Sequence, residues 1–146
     1  MNRLQLYLCL FVFTLISFAC SLCSLFLDAQ ASSAEVSRGK YLVEEIARCS
    51  ECHTPRDGAG NLKYEVRLQG APIWIKPIAP IQNWADQAPP LAGLPSMTDQ
   101  QIEVVLEKGT GPNGEALRPP MHTYHMKRED ARAVIAYLKS LPRAQR

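Results

Sequence analysis

The hydrophobic periodicity of this 146-residue chain predicts three helices. Apolar residues recur at helical spacing from Glu35 to about Arg48, from Thr98 through Lys108, and from about Arg128 to Lys139. Charged side chains occupy the other faces. The predicted inward positions are Tyr41, Leu42, Ile46 and Ala47, then Ile102, Val105 and Leu106, then Ala131, Val134, Ile135 and Leu138.

Local signals define the ends of these helices and one close contact. Thr98, followed three residues later by Gln101, is a capping box, and Gly109 is a C-cap. Gly39 lies inside the first helix, where glycine costs about 1 kcal/mol relative to alanine. We interpret Gly39 as a position where another helix approaches closely; a frayed first turn is the alternative.

The segment from Leu62 to Pro95 has no sustained periodicity, and its repeated prolines exclude long helices. It nevertheless carries large apolar side chains, namely Trp74, Ile75, Ile78, Ile81 and Trp84. Such residues need a covering surface. They are predicted either to lie against a flat apolar cofactor or to fill an ordinary core.

The N-terminus has the pattern of a targeting segment. Arg3 precedes an uncharged run from Leu4 to Leu27, and Ala29-Gln30-Ala31 has the form of a cleavage site. Both outcomes for this segment imply export. Either residues 1–31 are removed as a signal peptide, leaving a domain of residues 32–146, or residues 4–27 are retained as a membrane anchor.

Charge and cysteine content narrow the possible functions. The formal net charge of +2 comes from scattered basic residues, which argues against nucleic-acid binding. Three of the 5 cysteines lie in the targeting segment, so the remainder of the chain contains only Cys49 and Cys52. With both of these used by a cofactor, a disulfide framework is excluded.

Cys49-Ser50-Glu51-Cys52-His53 is the attachment pattern for c-type haem. The two thiols add to the porphyrin vinyl groups as thioethers, and the adjoining histidine ligates iron. Cysteines three residues apart lie on one side of a helical turn, which matches two neighbouring vinyl groups. The pattern therefore predicts one covalently bound haem c, with Cys49, Cys52 and His53 binding it.

Three other interpretations of the cysteine pair are weaker. A thioredoxin-like redox site would place the motif after a strand, and no strand-like run precedes Cys49. A zinc site with His122 and His125 would have unusually tight histidine spacing and leave His53 unexplained. A disulfide between the two cysteines would close only a tiny loop.

A six-coordinate haem needs a second axial ligand, and Met121 is the predicted one. It follows Pro119 and Pro120, which hold its thioether in a stiff loop with little entropy to lose. Met97 stands at the start of a helix, where approach to iron is awkward. The alternatives are His122 and His125, or Met126, which otherwise read as loop and core side chains.

Together these motifs resemble the class I cytochrome c family over residues 36–142. Residues 38–42 and the Cys49–His53 motif look like its N-terminal helix and haem site. Arg118-Pro119-Pro120-Met121 and residues 131–138 look like its methionine loop and C-terminal helix. The loop is similar to that of cytochrome modules in bacterial membrane dehydrogenases. This sequence departs from those modules in two ways. They usually repeat the haem motif, which occurs once here, and Lys127 stands where a helix-capping serine is expected.

The resemblance implies an all-α cytochrome c fold, with about three to five helices wrapped around one covalently bound haem. It also implies that the N- and C-terminal helices cross near Gly39, Tyr41, Tyr137 and Leu138. It implies His53 and Met121 as iron ligands. The expected function is electron transfer outside the cytoplasm, in the periplasm or on the outer face of the membrane. The redox partners are a dehydrogenase upstream and an oxidase or reductase downstream. Two alternatives are a haem subunit that mainly assembles a dehydrogenase complex, and an open iron face with peroxidase-like or gas-binding chemistry.

Overall fold

The computed structural model describes residues 33–143, so the predicted targeting segment lies outside the described residues. The chain divides into two units, and the second, Glu35–Arg146, contains the predicted haem motif. The helices are α1 (33–41), α2 (Ser50–His53), α3 (Asp99–Lys108) and α4 (Arg128–Ser140). A 3₁₀ turn covers Tyr64–Val66, and strands β1 (Ala71–Pro72) and β2 (Gln87–Ala88) pair antiparallel. The domain is therefore helical, with one short ladder that the periodicity did not predict.

The first helix ends earlier than predicted. After α1 the chain widens into a π-helical turn, Leu42–Ile46, which the Ala47 amide closes by donating to the Leu42 carbonyl at 2.7 Å. Arg48 has a φ of 49°, in the left-handed region, so a right-handed helix does not continue through it. The predicted helix to about Arg48 is thus helical as far as Ile46, but its last turn is a π turn instead of regular α-helix.

The π turn also changes which side chains face inward. Leu42 and Val43 are buried, whereas Tyr41 and Ile46 are 49% and 57% exposed. A π turn closes its hydrogen bonds over five residues instead of four, so an α-helical periodicity misplaces the residues around it. The inward prediction is confirmed for Leu42 and wrong for Tyr41 and Ile46.

Gly39 lies against the C-terminal helix. A Cβ atom at this position would overlap the Ala133 carbonyl and come within 2.8 Å of the Tyr137 Cβ atom. The glycine therefore permits a contact between α1 and α4 that any side chain would block. The interpretation of Gly39 as a packing position is confirmed.

The predicted ends of α3 are confirmed. Thr98 accepts a hydrogen bond from the Gln101 amide, and the Gln101 side chain accepts one from the Thr98 amide. Gly109 ends the helix in the left-handed conformation, with a φ of 69°. At the start of α4, within the described chain, the Lys127 side chain makes no capping hydrogen bond, as its side-chain chemistry predicts.

The core joins the π turn, the long connecting segment, α3 and α4. Its buried members are Leu42, Val43, Leu68, Ala92, Ile102, Leu106, Ala131, Ala133, Val134, Ile135, Tyr137 and Leu138. The predicted inward face of α4 is confirmed in full, whereas in α3 Val105 is only half-buried. Over residues 33–143, every helix is too short or too polar to cross a membrane.

Candidate haem-binding site

The two motif cysteines lie at the start and in the body of the short helix α2. Cys49 is its N-cap residue, and its carbonyl accepts hydrogen bonds from the Cys52 and His53 amides at 3.3 and 3.0 Å. In the described part of the chain both thiols are free and partly buried. This single turn presents two unbridged sulfur atoms three residues apart, as thioether attachment to a haem requires.

The electrostatics of these thiols differ from those of a redox-active cysteine pair. Burial raises the pKa of Cys49 to about 11, and the charge of Glu44 contributes further in the same direction. Burial also raises the pKa of Cys52. Redox-active pairs instead have a cysteine whose pKa is lowered, because the thiolate is the nucleophile. The thioredoxin-like alternative therefore has no support from the site.

His53 is held in one orientation by a backbone carbonyl. Its side chain is 5% exposed, and its Nδ1 lies 2.7 Å from the carbonyl oxygen of Pro89. A carbonyl only accepts, so Nδ1 carries the proton and donates it. Nε2 then bears the lone pair, and it has no hydrogen-bond partner within residues 33–143. Burial lowers the pKa of His53, which favours the neutral form that binds metal.

A series of backbone contacts brings Pro89 to His53. The buried Thr54 hydroxyl accepts from the Leu68 amide at 3.0 Å, and the Gly70 amide donates to the His53 carbonyl at 2.9 Å. Ala71, the residue after Gly70, lies in β1 and pairs with Ala88 of β2, the residue before Pro89. Sequence reasoning missed Pro89. A ligating histidine is expected to donate its second N–H group, but nothing in the sequence distinguishes one carbonyl among many.

The Met121 loop is anchored to the proline-rich segment. The Arg118 guanidinium donates to the Asn83 and Trp84 carbonyls at 3.2 and 3.0 Å, and the Ala85 amide donates to the Pro119 carbonyl at 2.7 Å. The Pro119–Pro120 peptide bond is cis. These contacts fix the loop that carries Met121, whose side chain is 37% exposed.

The other side chains considered as axial ligands have different roles. Met97 and Met126 are partly buried and pack against the hydrophobic core. His122 and His125 are exposed, and the ring of His122 stacks edge-on against Tyr124 at 4.8 Å. Of the three methionines in residues 33–143, Met121 is thus the one that does not pack against the core, although its role as a ligand stays a prediction.

The end of the Met121 loop lies beside the attachment motif. The Tyr124 hydroxyl donates to the Ala47 carbonyl at 3.1 Å, two residues before Cys49. Burial raises the pKa of Tyr124 to about 12, and the nearby Cys49 and Cys52 add to this shift. Tyr124, three residues after Met121, therefore lies near the sulfur atoms of Cys49 and Cys52.

The zinc alternative finds no support in the side-chain positions. Among the described residues, no group of three or more histidine, cysteine, aspartate or glutamate side chains comes together as a metal site would require. Cys49, Cys52, His122 and His125 all belong to the described chain and do not converge.

Three of the five large apolar residues of the proline-rich segment are exposed, whereas Ile75 and Trp84 are half-buried. Trp74 is 58% exposed, Ile81 is 48% exposed, and Ile78 is fully exposed. Core filling is therefore wrong for these three. Trp74 lies over α2: its indole N–H group donates to the Glu51 carbonyl at 3.2 Å, and the Arg56 guanidinium lies 4.6 Å from its ring centre. Free sulfurs, an oriented imidazole and uncovered apolar side chains fit a covalently attached porphyrin.

Comparisons with known proteins identify the family. The sequence profile described as cytochrome c matches residues 36–142. The cytochrome c subunit of the quinone alcohol dehydrogenase of Gluconobacter oxydans is 35% identical over 125 residues, which cover 79% of this chain and 26% of that protein. The fructose dehydrogenase cytochrome subunit of Gluconobacter japonicus is 33% identical and covers 73% of this chain and 22% of its own length. A diheme c-type cytochrome of Cereibacter sphaeroides is 34% identical, with 74% and 36% covered.

The chain thus spans about a quarter to a third of the length of these curated relatives. Its match to the family profile, in contrast, runs from α1 through α4 and includes the attachment motif and the Met121 loop. The resemblance inferred from the motifs is confirmed: the chain belongs to the cytochrome c family.

Proposed function

We propose that this protein is an electron carrier with one haem c attached through Cys49 and Cys52. The observation that carries the proposal is the α2 turn, where both thiols are free and the adjacent His53 donates Nδ1–H to Pro89. When bound, the haem supplies an iron that accepts and releases one electron. The chain contributes the covalent attachment, a fixed imidazole and an apolar surrounding.

In this proposal His53 and Met121 are the axial ligands. His53 presents Nε2 because Nδ1 is engaged by the Pro89 carbonyl. Met121 offers a thioether from a loop tied to residues 83–85, while Met97 and Met126 pack in the core. Methionine–histidine ligation raises the reduction potential of a c-type haem. The protein would therefore accept electrons from a dehydrogenase and pass them to an oxidase or a reductase.

The relatives support a dehydrogenase as the upstream partner, because two of them are named as cytochrome subunits of an alcohol and a fructose dehydrogenase. The attachment motif occurs once in this sequence, which favours one haem, although one relative is named as a diheme protein. Export to the periplasm or to the outer face of the cytoplasmic membrane follows from the targeting segment. As the haem subunit of such a complex, the protein would carry out the same electron transfer while permanently bound to the dehydrogenase.

Replacement of both motif cysteines tests the proposal. Cys49→Ser combined with Cys52→Ser should abolish covalent haem, because no other thiol lies beyond the targeting segment. Haem staining after denaturing electrophoresis measures this directly. Cys23→Ser, within the targeting segment, is the matched control and should leave the stain unchanged. A haem-positive band from the double variant would contradict the proposed function.

A further inference from the structure

The π-helical turn before the motif has a structural consequence beyond ending α1. The Ala47 amide bonds to the Leu42 carbonyl, and the Cys49 amide bonds to the Val43 carbonyl at 3.0 Å. The π turn thus leads directly into α2, the helix that carries the haem-attachment motif. π-helical turns are often found at functional sites, because the extra residue redirects side chains. Here the side chain redirected inward is Glu44, which is only 13% exposed.

Glu44 is the centre of a network that joins three parts of the fold. Its Oε2 accepts from the Ser50 hydroxyl, between the two motif cysteines, at 3.2 Å. Its Oε1 accepts from the Tyr137 hydroxyl of α4 at 2.6 Å and lies 3.3 Å from the Arg67 guanidinium. Arg67 also donates to the Tyr137 hydroxyl at 3.0 Å.

The two oxygens of the Glu44 carboxylate face different groups. Oε2 faces the attachment turn through Ser50, and the compensating Arg67 cation lies at the other oxygen. The negative end of the pair is thus nearer the site where the haem is attached. Electrostatic interactions are stronger in such a half-buried position than at the surface.

We propose that Glu44 is a positioning residue that lowers the reduction potential of the haem, because its carboxylate, fixed beside the attachment turn by Ser50, Tyr137 and Arg67, stabilises the more positive ferric state. The inference rests on the proposed function, since it requires a haem bound at Cys49 and Cys52. It also explains why the chain places an acidic residue in a turn whose neighbours, Leu42 and Val43, are core side chains.

Glu44→Gln is the direct test, in the full-length holoprotein, by spectroelectrochemical titration of the midpoint potential. We expect a positive shift, because the variant removes a negative charge and leaves Arg67 uncompensated. Glu45→Gln is the matched control. Glu45 lies in the same turn but is exposed, and it makes no hydrogen bond or ion pair with any described residue. At about 1 M salt, where screening acts over about 3 Å, the shift from Glu44→Gln should persist and that from Glu45→Gln should vanish.

A second variant separates tuning from simple structural damage. Arg67→Gln removes the cation that compensates Glu44 and should shift the potential in the opposite, negative direction. Damage to the fold would move both variants the same way and would weaken the axial methionine band. Opposite shifts with the band retained support the proposal. Equal shifts from Glu44→Gln and Glu45→Gln, or shifts of the same sign from Glu44→Gln and Arg67→Gln, would overturn it.

The failure of this inference is distinguishable from that of the proposed function. If the unmodified protein carries no covalent haem, the proposed function fails. If haem is attached and titrates normally but does not respond to Glu44, only the tuning role of Glu44 is wrong.

Discussion

The side chain of His53 shows how much of this site depends on single atoms. Its two ring nitrogens have different environments, since Nδ1 donates to the Pro89 carbonyl while Nε2 has no partner in the described chain. This arrangement fixes the tautomer and the orientation of the ring before any metal is present. The motif predicts which histidine would bind the haem, whereas the partner carbonyl is supplied by a segment 36 residues away.

At the residue scale, Met121→Ala should leave the haem attached but open one face of the iron. In the proposed site, attachment would depend on Cys49 and Cys52, whereas the sixth ligand would come from the Met121 loop. We expect loss of the methionine charge-transfer band, a lower potential and new binding of carbon monoxide or cyanide, measured by visible spectroscopy. Met126→Ala is the control, because Met126 packs against the core and should lower stability without any of these changes. Exchanged phenotypes would show that the ligand assignment is wrong.

Gly39→Ala is expected to destabilise the fold strongly. Its Cβ atom would overlap the Ala133 carbonyl, which is backbone and unable to move aside cheaply. Overpacking of this kind costs about 1–3 kcal/mol, and a backbone contact places it at the upper end. Gly58→Ala is the control, because a Cβ at Gly58 meets nothing within 4 Å, and its effect should stay within about 0.5 kcal/mol. Urea denaturation of both holoproteins measures the difference.

Particular residues show what was predictable at this scale. Gly39 was identifiable as a packing position because its lack of a side chain is a property of the residue itself. Pro89 was not identifiable, since its role belongs to a backbone carbonyl and depends on the pairing of Ala71 with Ala88. Roles that reside in side-chain chemistry can be inferred from sequence, whereas roles that reside in backbone position require the fold.

At the scale of elements, the helices differ in how well local sequence predicts them. The start and end of α3 were predicted from Thr98, Gln101 and Gly109, whose side-chain and backbone preferences act locally. The π turn after α1 was missed; its residues Val43, which is buried, and Glu44, which is part-buried, make tertiary contacts that a local pattern does not show. The spacing of apolar residues along one helix does not report contacts with other parts of the fold.

The N-terminal ends of α3 and α4 allow a paired prediction about helix stability, because Thr98 caps the first and the Lys127 side chain leaves the second uncapped. Thr98→Ala should destabilise the protein by about 1 kcal/mol, because it removes the acceptor for the Gln101 amide. Lys127→Ser should stabilise it by a similar amount, since Lys127 already has the extended backbone of an N-cap residue, with φ −66° and ψ 152°. Thermal unfolding followed by circular dichroism measures both. Destabilisation by Lys127→Ser would mean that the lysine has another role at the start of α4.

Each ion pair between α3 and α4 contributes less to the stability of the fold than a helix cap does. Asp99 pairs with Lys139, Glu103 with Arg132, and Glu107 with Arg128, at 2.8 to 3.2 Å. The lysine and arginine side chains are more than half exposed, and exposed pairs contribute about 0–1 kcal/mol each. The pairing of the two helices therefore depends mainly on their buried faces.

At the scale of the whole molecule, the site is assembled from segments distant in sequence. The attachment turn, the proline-rich segment and the Met121 loop are joined by backbone hydrogen bonds, such as Gly70 to His53 and Ala85 to Pro119. In the same segment Trp74, Ile78 and Ile81 are exposed, and Trp74 lies over α2, where its indole N–H group donates to the Glu51 carbonyl. Apolar side chains left uncovered in this way fit the proposed haem, although the sequence alone equally allowed a core.

The last prediction concerns the fate of the targeting segment. We propose that the mature protein begins near Ser32 and that any membrane association is peripheral, through a partner. Ala29-Gln30-Ala31 places small residues at both recognition positions, and the stretch that follows is polar, which makes the site accessible. The uncharged run from Leu4 to Leu27 is longer than the apolar h-region of a typical signal peptide, and its length favours the competing outcome of a retained membrane span.

The two outcomes differ in mass and in partitioning, so one fractionation experiment separates them. Cells that express the full chain are fractionated, and the intact mass of the haem protein is measured in each fraction. A species in the soluble fraction that lacks about 31 residues is the expected result. Ala31→Phe is the sharper variant, because a bulky residue at the cleavage site should block processing and retain the protein on the membrane. A full-length protein that stays with the membranes after a high-salt wash would show instead that the segment is an anchor, and that the carrier works tethered within reach of its redox partners.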